Sequence, residues 1–274
     1  MDRVYFTHER LNDHIIRIRD ICGTFLYLVT GDEKAVLLDT GDGFGDLRSY
    51  VESLTDLPVT VILTHGHLDH ACGAIHFKDC DIWMNPDDAP VYEAHTKIEY
   101  RRKFHEKKPE VSSIPLTDYD PAYTGELLSL HDGQRFDLGN VHITMVSVKG
   151  HTPGMMCALI EEDRVMLFGD ACGVFVLLFD EYSSTVSEYR ESLLNLKKYE
   201  DRYDRIIRNH GTGESPKELL DNVIECCDLI LAGKDDHEPV EFNGMHLHLA
   251  KAMNNGERLD GKQGNIAYAA DKRK

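Results

Sequence analysis

Basic residues are scarce in this chain of 274 residues: 30 Lys and Arg stand against 48 Asp and Glu, a formal net charge of −18. A chain so poor in cations has little with which to displace counterions from a phosphate backbone. A nonspecific nucleic-acid binder is therefore disfavoured, and no nucleic-acid partner is expected. Long apolar runs are missing as well. None approaches the ~20 residues that a membrane helix needs, so no membrane partner is expected. The opening stretch, "MDRVYFTHERLNDH", lacks the basic and then apolar layout of a secretory signal. A cytoplasmic location is the expectation if that start is native. No CxxC pair occurs, and the seven cysteines are odd in number. This disfavours a disulfide framework and favours free thiols, most of them small buried hydrophobes. There is neither an internal repeat nor a low-complexity linker. Residues 1–274 are read as one domain with a sizeable core.

Strand patterns come first and helical ones intervene at wide spacing. "HIIRIRD" (14–20) alternates as a half-buried strand does, and residues 23–41 read as a hairpin turning at Gly31-Asp32. "VTVILT" (59–64) is a short apolar strand expected to be buried on both faces. "DIWMN" (81–85) is another, followed by a polar, aromatic helical segment over about 86–107. Strands return at 141–148, at "MMCALIEE", at 164–170 and at 205–208. Helices are predicted over 44–54, 187–201 and 216–232, and the tail reads as short terminal strands. The order suggests an α+β fold of two mixed sheets with helices outside.

Chemistry concentrates where strand 59–64 ends. "TVILTHGHLDHACG" (60–73) begins as an apolar run and then places His65, His67, Asp69 and His70 within six positions. His65 and His67, two apart, share a face in extended backbone. Asp69 and His70 follow once the chain turns, so a second cluster of donors forms beside the first. Imidazole with carboxylate suits zinc, manganese or iron. The bland reading, a polar loop with surface histidines, sits poorly with four donors after a buried strand. Three further strands end in the same layout of a donor beside a glycine: His151 in "VSVKGHTPG", Asp170 in "VMLFGDACG" and His210 in "RIIRNHG". Each alone is more often structural than a ligand. Together with the first cluster they make seven donors.

These motifs resemble those of the metallo-β-lactamase superfamily: "HGHLDH" (65–70), "GHTPG" (150–154), "GD" (169–170) and "NHG" (209–211) stand in the family's order, and "LLDTG" (37–41) resembles its early strand and loop. The resemblance spans about 23–211. It implies a four-layer αββα sandwich with a glyoxalase II-like site for two divalent metal ions, zinc before manganese or iron. Carried over, His65, His67 and His151 hold one metal; Asp69, His70 and His210 hold the other; Asp170 bridges them. Asp69 also orients the nucleophile. Asp39 orients a ligand histidine, with a plain turn aspartate as the competing reading.

Two cations sharing a water lower its pKa to about 7, and the bridging hydroxide becomes the nucleophile. The function expected is hydrolysis of a small-molecule ester, thioester or lactone. A phosphodiesterase, or a mononuclear-iron sulfur dioxygenase or redox enzyme on the same fold, is the alternative. Substrate choice is expected from two segments. Residues 86–126, with Tyr92, Tyr100, Phe104, Tyr119 and Tyr123, read as a cap insertion, or else as an exposed amphipathic helix or a homodimer contact. The run 172–184 offers Phe175 and Phe179 to line a pocket and Tyr182 to donate to an oxyanion, with a buried strand as the competing reading. Cys172, two residues past Asp170, is expected to pack rather than react.

Overall fold

The first unit of the chain is organised by one sheet. The computed structural model describes residues 3–242 and 244–274, which fall into two compact units, one ending at Thr144 and one spanning Met145–Lys274. In the first, β1 (Phe6–Arg10), β2 (Ile15–Asp20), β3 (Phe25–Thr30), β4 (Ala35–Leu38), β5 (Val59–Ile62), β6 (Ile82–Met84) and β7 (Leu128–Ser129) lie in sequence order in a seven-stranded sheet. The pairings β1 to β4 are antiparallel and those from β4 to β7 parallel. Helices α1 (Leu47–Glu52), α2 (Leu68–Ala71), α3 (Ala89–His95) and α4 (Ile98–His105) occupy the connections. β8 (Arg135–Asp137) pairs antiparallel with the start of β9 (His142–Ser147).

The core of this unit collects Ile16, Ile18, Leu26, Leu28, Leu37, Val61 and Phe77. β5 is buried only in its second half; Val59 and Thr60 are half-buried, so the expectation of full burial holds from Val61 onward. β1 was not anticipated. Only Phe6 of its five residues is buried, so it carries no alternation to detect.

The segment 86–126 is fastened from within. Arg101 of α4 is 1% exposed, and its guanidinium donates to the carbonyls of Asp42 (2.9 Å), Gly43 (3.0 Å) and Asp120. Tyr92 and Tyr119 are buried, and Tyr100 is exposed.

The second unit contains β10 (Met156–Ile160), β11 (Val165–Leu167), β12 (Val176–Leu178), β13 (Arg205–Ile207), β14 (Glu214–Ser215), β15 (Glu238–Phe242), β16 (Met245–Leu249), β17 (Met253–Asn254), β18 (Glu257–Arg258) and β19 (Ile266–Tyr268). β10 pairs antiparallel with β11, β11 parallel with β13, and β13 antiparallel with β14. A separate four-stranded sheet runs β12-β19-β16-β15, so the run after Asp170 forms a strand at a sheet edge. α5 (Val186–Lys197) begins with a capping box, in which Thr185 and Glu188 satisfy each other's backbone N–H groups. It packs on α6 (Leu219–Ala232), and the two bury Tyr189, Leu193, Val223, Cys227 and Ile230. Cys172 is fully buried in this core, where burial pushes its thiol pKa well up; it packs, as expected. No described helix is long and apolar enough to cross a membrane.

Candidate metal centre

Strand β5 delivers the first four donors. After Ile62 the chain leaves the sheet and bends over 64–66 to His67 (φ −70°, ψ 154°), the residue that caps α2, and Asp69 and His70 sit in that one-turn helix. The result is convergence. The rings of His65 and His67 are 4.8 Å apart, those of His65 and His70 4.0 Å, and Asp69 Oδ1 lies 3.9 Å from His70 Nε2. His65 and His70 are fully buried and His67 nearly so, while Asp69 remains half-buried.

Asp39 holds this arrangement from beneath. It follows β4, is fully buried, and takes the left-handed conformation (φ 67°) that non-glycine residues rarely adopt. Its Oδ1 accepts from Thr64 N (2.7 Å), and its Oδ2 accepts from the Thr64 hydroxyl (2.9 Å) and from His70 Nδ1 (2.9 Å). A carboxylate can only accept here, so His70 carries its proton on Nδ1 and its lone pair on Nε2. Thr40 adds two bonds to the His70 carbonyl, from its N–H (2.7 Å) and its hydroxyl (3.1 Å). Asp39 therefore fixes the His70 ring through Nδ1, and strain at φ 67° fits a site whose surroundings over-determine the backbone.

A second support was missed in the sequence. Asp88 accepts from Gly66 N (2.8 Å), between the two leading histidines. A Cβ on Gly66 would lie 2.7 Å from Tyr92 N and 2.9 Å from the Asp88 carbonyl, so only glycine lets α3 sit this close. His95 of α3 then stacks on His67 (4.4 Å, 12°), and Tyr100 lies against His95 (4.2 Å). Part of the segment expected to act as a cap thus braces the motif itself. The only hint in the sequence was the Asn85-Pro86 helix start, which says nothing of what the helix touches.

The second unit holds the other three donors. Asp170 Oδ2 lies 3.3 Å from His210 Nε2 and 3.8 Å from His151 Nε2, so one carboxylate oxygen faces two imidazoles. His151 Nδ1 donates to the Leu177 carbonyl (2.9 Å), which again puts the lone pair on Nε2. The His151 carbonyl accepts from the Ser183 hydroxyl (3.1 Å), which is shared with Asp180 (2.9 Å). Gly150 makes room for this loop; a Cβ there would meet the Tyr189 ring at 2.2 Å. Asp170 is 19% and His210 39% exposed in their side chains, so this half opens to solvent. Of the expected substrate residues, Phe175 is exposed and Phe179 and Tyr182 are half-buried.

The donor set suits a divalent ion. His70 and His151 each anchor Nδ1 on an acceptor and present Nε2, which is how metal-binding histidines are held. Asp39→Asn tests that support. Asparagine tolerates the left-handed backbone but turns an amide N–H toward one of three donors. Metal affinity or activity is expected to fall 10–100-fold, measured by competition with a chelator. A change under about twofold leaves Asp39 as a plain turn residue.

Comparison with known proteins agrees with this chemistry. The sequence model of the metallo-beta-lactamase superfamily matches residues 19–203. An acyl-coenzyme A thioesterase, MBLAC2, of Gallus gallus is 24% identical over 68% of this chain and 71% of its own length. A protein of Bacillus velezensis described as a probable polyketide biosynthesis zinc-dependent hydrolase, BaeB, is 20% identical over 82% of this chain and 87% of its own. Among solved structures, a metallo-beta-lactamase from Pontibacter korlensis superposes with a TM-score of 0.58 at 13% identity, covering 81% of this chain and 99% of that one. This likeness shows the metallo-β-lactamase fold, of the α+β class expected. Some solved relatives are longer; the chain spans 42% of the length of one of them.

Proposed function

The chain belongs to the metallo-beta-lactamase superfamily and is a metal-dependent hydrolase, and from that premise we propose that it uses two divalent ions, zinc first, to hydrolyse a small-molecule ester, thioester or lactone. His65, His67 and His151 would hold one ion, Asp69, His70 and His210 the other, with Asp170 shared. Bound there, the ions supply Lewis acidity and bring the pKa of a water toward about 7. The observation that carries the reading is the anchoring of Nδ1 in His70 and His151, on Asp39 and on the Leu177 carbonyl, at 2.9 Å each. That tautomer serves metal binding; a histidine acting as a general base would change it during turnover.

The chain's own groups do the rest. Asp39 retains the His70 proton and keeps the ring aligned. The Leu177 carbonyl does the same for His151. Asp69 contributes a carboxylate that would accept a hydrogen bond from the attacking water and orient it. Asp69 and Asp170 together carry about −2 against about +4 on two dications, so the centre keeps a positive excess that favours an anionic intermediate. The likeness to an acyl-coenzyme A thioesterase favours a thioester over a phosphodiester.

Metal analysis of the purified protein, followed by a screen of thioesters, esters, lactones, phosphodiesters and β-lactams, tests this. Two zinc ions per chain and turnover of a carbonyl ester or thioester are expected. One iron per chain with oxygen consumption would establish the sulfur-dioxygenase alternative instead, and less than one metal per chain would overturn the reading.

A further inference from the structure

The sequence offers Phe175 and Phe179 to line a pocket, and strands near the end of the chain extend the face on which they lie. Residues beyond the family-matched stretch, which ends at 203, build β15 to β19. Three of these strands complete the sheet whose edge is β12. Among the described residues β12 pairs on one side only, with β19. Its Val176 N–H donates to the Asn265 carbonyl (2.9 Å) and its Leu178 carbonyl accepts from Ala269 N–H (2.9 Å), so the even-numbered residues face β19. The Leu177 carbonyl points to the opposite, free edge, and there it takes the His151 Nδ1 proton. The strand that aligns a ligand histidine is thus the first strand of this sheet.

The two faces of the sheet differ. Val176, Leu178, Ile266 and Tyr268 turn into the unit's core. On the other face, Leu177 and Phe179 join Leu247, Phe242 and Met245 of the β15–β16 hairpin in a separate apolar cluster, half-buried at its rim. Phe242 reaches across to both aromatic residues of the β12 run, 6.5 Å from Phe175 and 6.4 Å from Phe179 between ring centroids. Phe175 is 43% exposed. Alternation along β12 puts Phe175, Leu177 and Phe179 on one side, so this apolar face begins five residues after Asp170 and is continuous with the residue that holds His151. Four strands span about 14 Å across the sheet.

We infer that this face, with Phe242 as its clasp, seats the acyl group of the ester or thioester, and that the hydrolase prefers medium-length hydrocarbon acyl groups over acetyl. This rests on the proposed hydrolysis for its catalytic readout but not for its binding readout. An open face covers about half of a chain laid on it, so each added methylene is worth roughly a twofold gain in kcat/KM.

The test compares acetyl, hexanoyl and decanoyl thioesters with the metal-loaded enzyme, and titrates dansylundecanoic acid fluorescence with the metal-free protein. Expected results are a rising kcat/KM with chain length, probe binding by the native chain, and about a tenfold loss of both the decanoyl-to-acetyl ratio and the probe affinity in Phe242→Ser. Phe242→Leu restores most of each, which separates lost contact from lost folding. Equal kcat/KM along the series, or probe binding that is absent or unchanged in Phe242→Ser, overturns the inference while leaving the hydrolase reading intact. No turnover of any thioester with normal probe behaviour removes thioesters from the proposed function and retains the acyl site. A dimer in solution that Phe242→Ser dissociates would assign the face to a second copy and overturn the inference.

Discussion

Asp170→Ala is expected to lower kcat/KM by on the order of 10³-fold or more and to reduce bound metal to about one ion per chain, as read by elemental analysis. The size follows from what would be lost: one of two cations that together polarise the scissile carbonyl and stabilise the developing anion. The position is favourable for a clean experiment. Asp170 Oδ2 faces His210 Nε2 at 3.3 Å and His151 Nε2 at 3.8 Å, and its side chain is 19% exposed, so removing it opens no cavity in the core. It also removes a negative charge from between two imidazoles, so each of them gives up a neighbour without gaining a clash. Full turnover in Asp170→Ala refutes a two-metal requirement. His70→Ala should lose activity in parallel, but it also deprives the buried Asp39 of its imidazole partner, so a melting curve must accompany it.

Asp42→Ala is expected to destabilise the fold by about 3–5 kcal/mol at pH 7 in urea unfolding, the range for breaking a buried pair by removing one partner. Asp42 and His105 are both essentially unexposed, with Asp42 Oδ1 2.6 Å from His105 Nε2 and 3.5 Å from Lys108 Nζ, and Oδ2 3.3 Å from the Thr24 hydroxyl. Burial alone would raise the Asp42 pKa, but the His105 hydrogen bond and the Lys108 charge hold it below the ordinary carboxylate range. Asp20 beside it moves the other way, raised by its burial and by the Asp42 charge.

The sign for Asp42 follows from its depressed value. Its stabilisation is complete above the unfolded pKa of about 3.9 and is lost as pH falls through the lower folded value. The gap between the native chain and Asp42→Ala should therefore persist from pH 7 to about pH 4 and shrink only below that. A gap under about 1 kcal/mol at pH 7 would show that the network contributes little.

The local part of the site could be read from sequence because its donors are local. His65, His67, Asp69 and His70 lie within six residues, and an apolar strand fixes where they emerge. Asp88 and His95 could not be read that way. They reach the motif through a contact between Gly66 and α3, and nothing near positions 88 or 95 marks it. The same holds for Arg101, a buried cation whose three carbonyl acceptors come from loops far along the chain. Its neighbours in the sequence, "YRRKFHEKK", suggest a solvated helix. β1 was invisible because an edge strand with one buried residue has no period. The strands after residue 237 were anticipated only as short terminal elements, since their sheet joins β12 through β19 alone, whose Ile266 pairs with Val176 far back in the chain.

The free edge of β12 has a thermodynamic consequence. Because Leu177 holds His151 on one side while its neighbours Val176 and Leu178 bond to β19 on the other, the ion capture proposed at His151 and the zipping of β19 onto β12 would draw on the same segment. Linkage is reciprocal: whatever occupancy at His151 gains from an ordered β12, the β12–β19 ladder gains from occupancy. Deuterium uptake at the Ala269 amide, which closes that ladder on the Leu178 carbonyl, should thus quicken when the ion is stripped, making the tail a remote reporter of the metal.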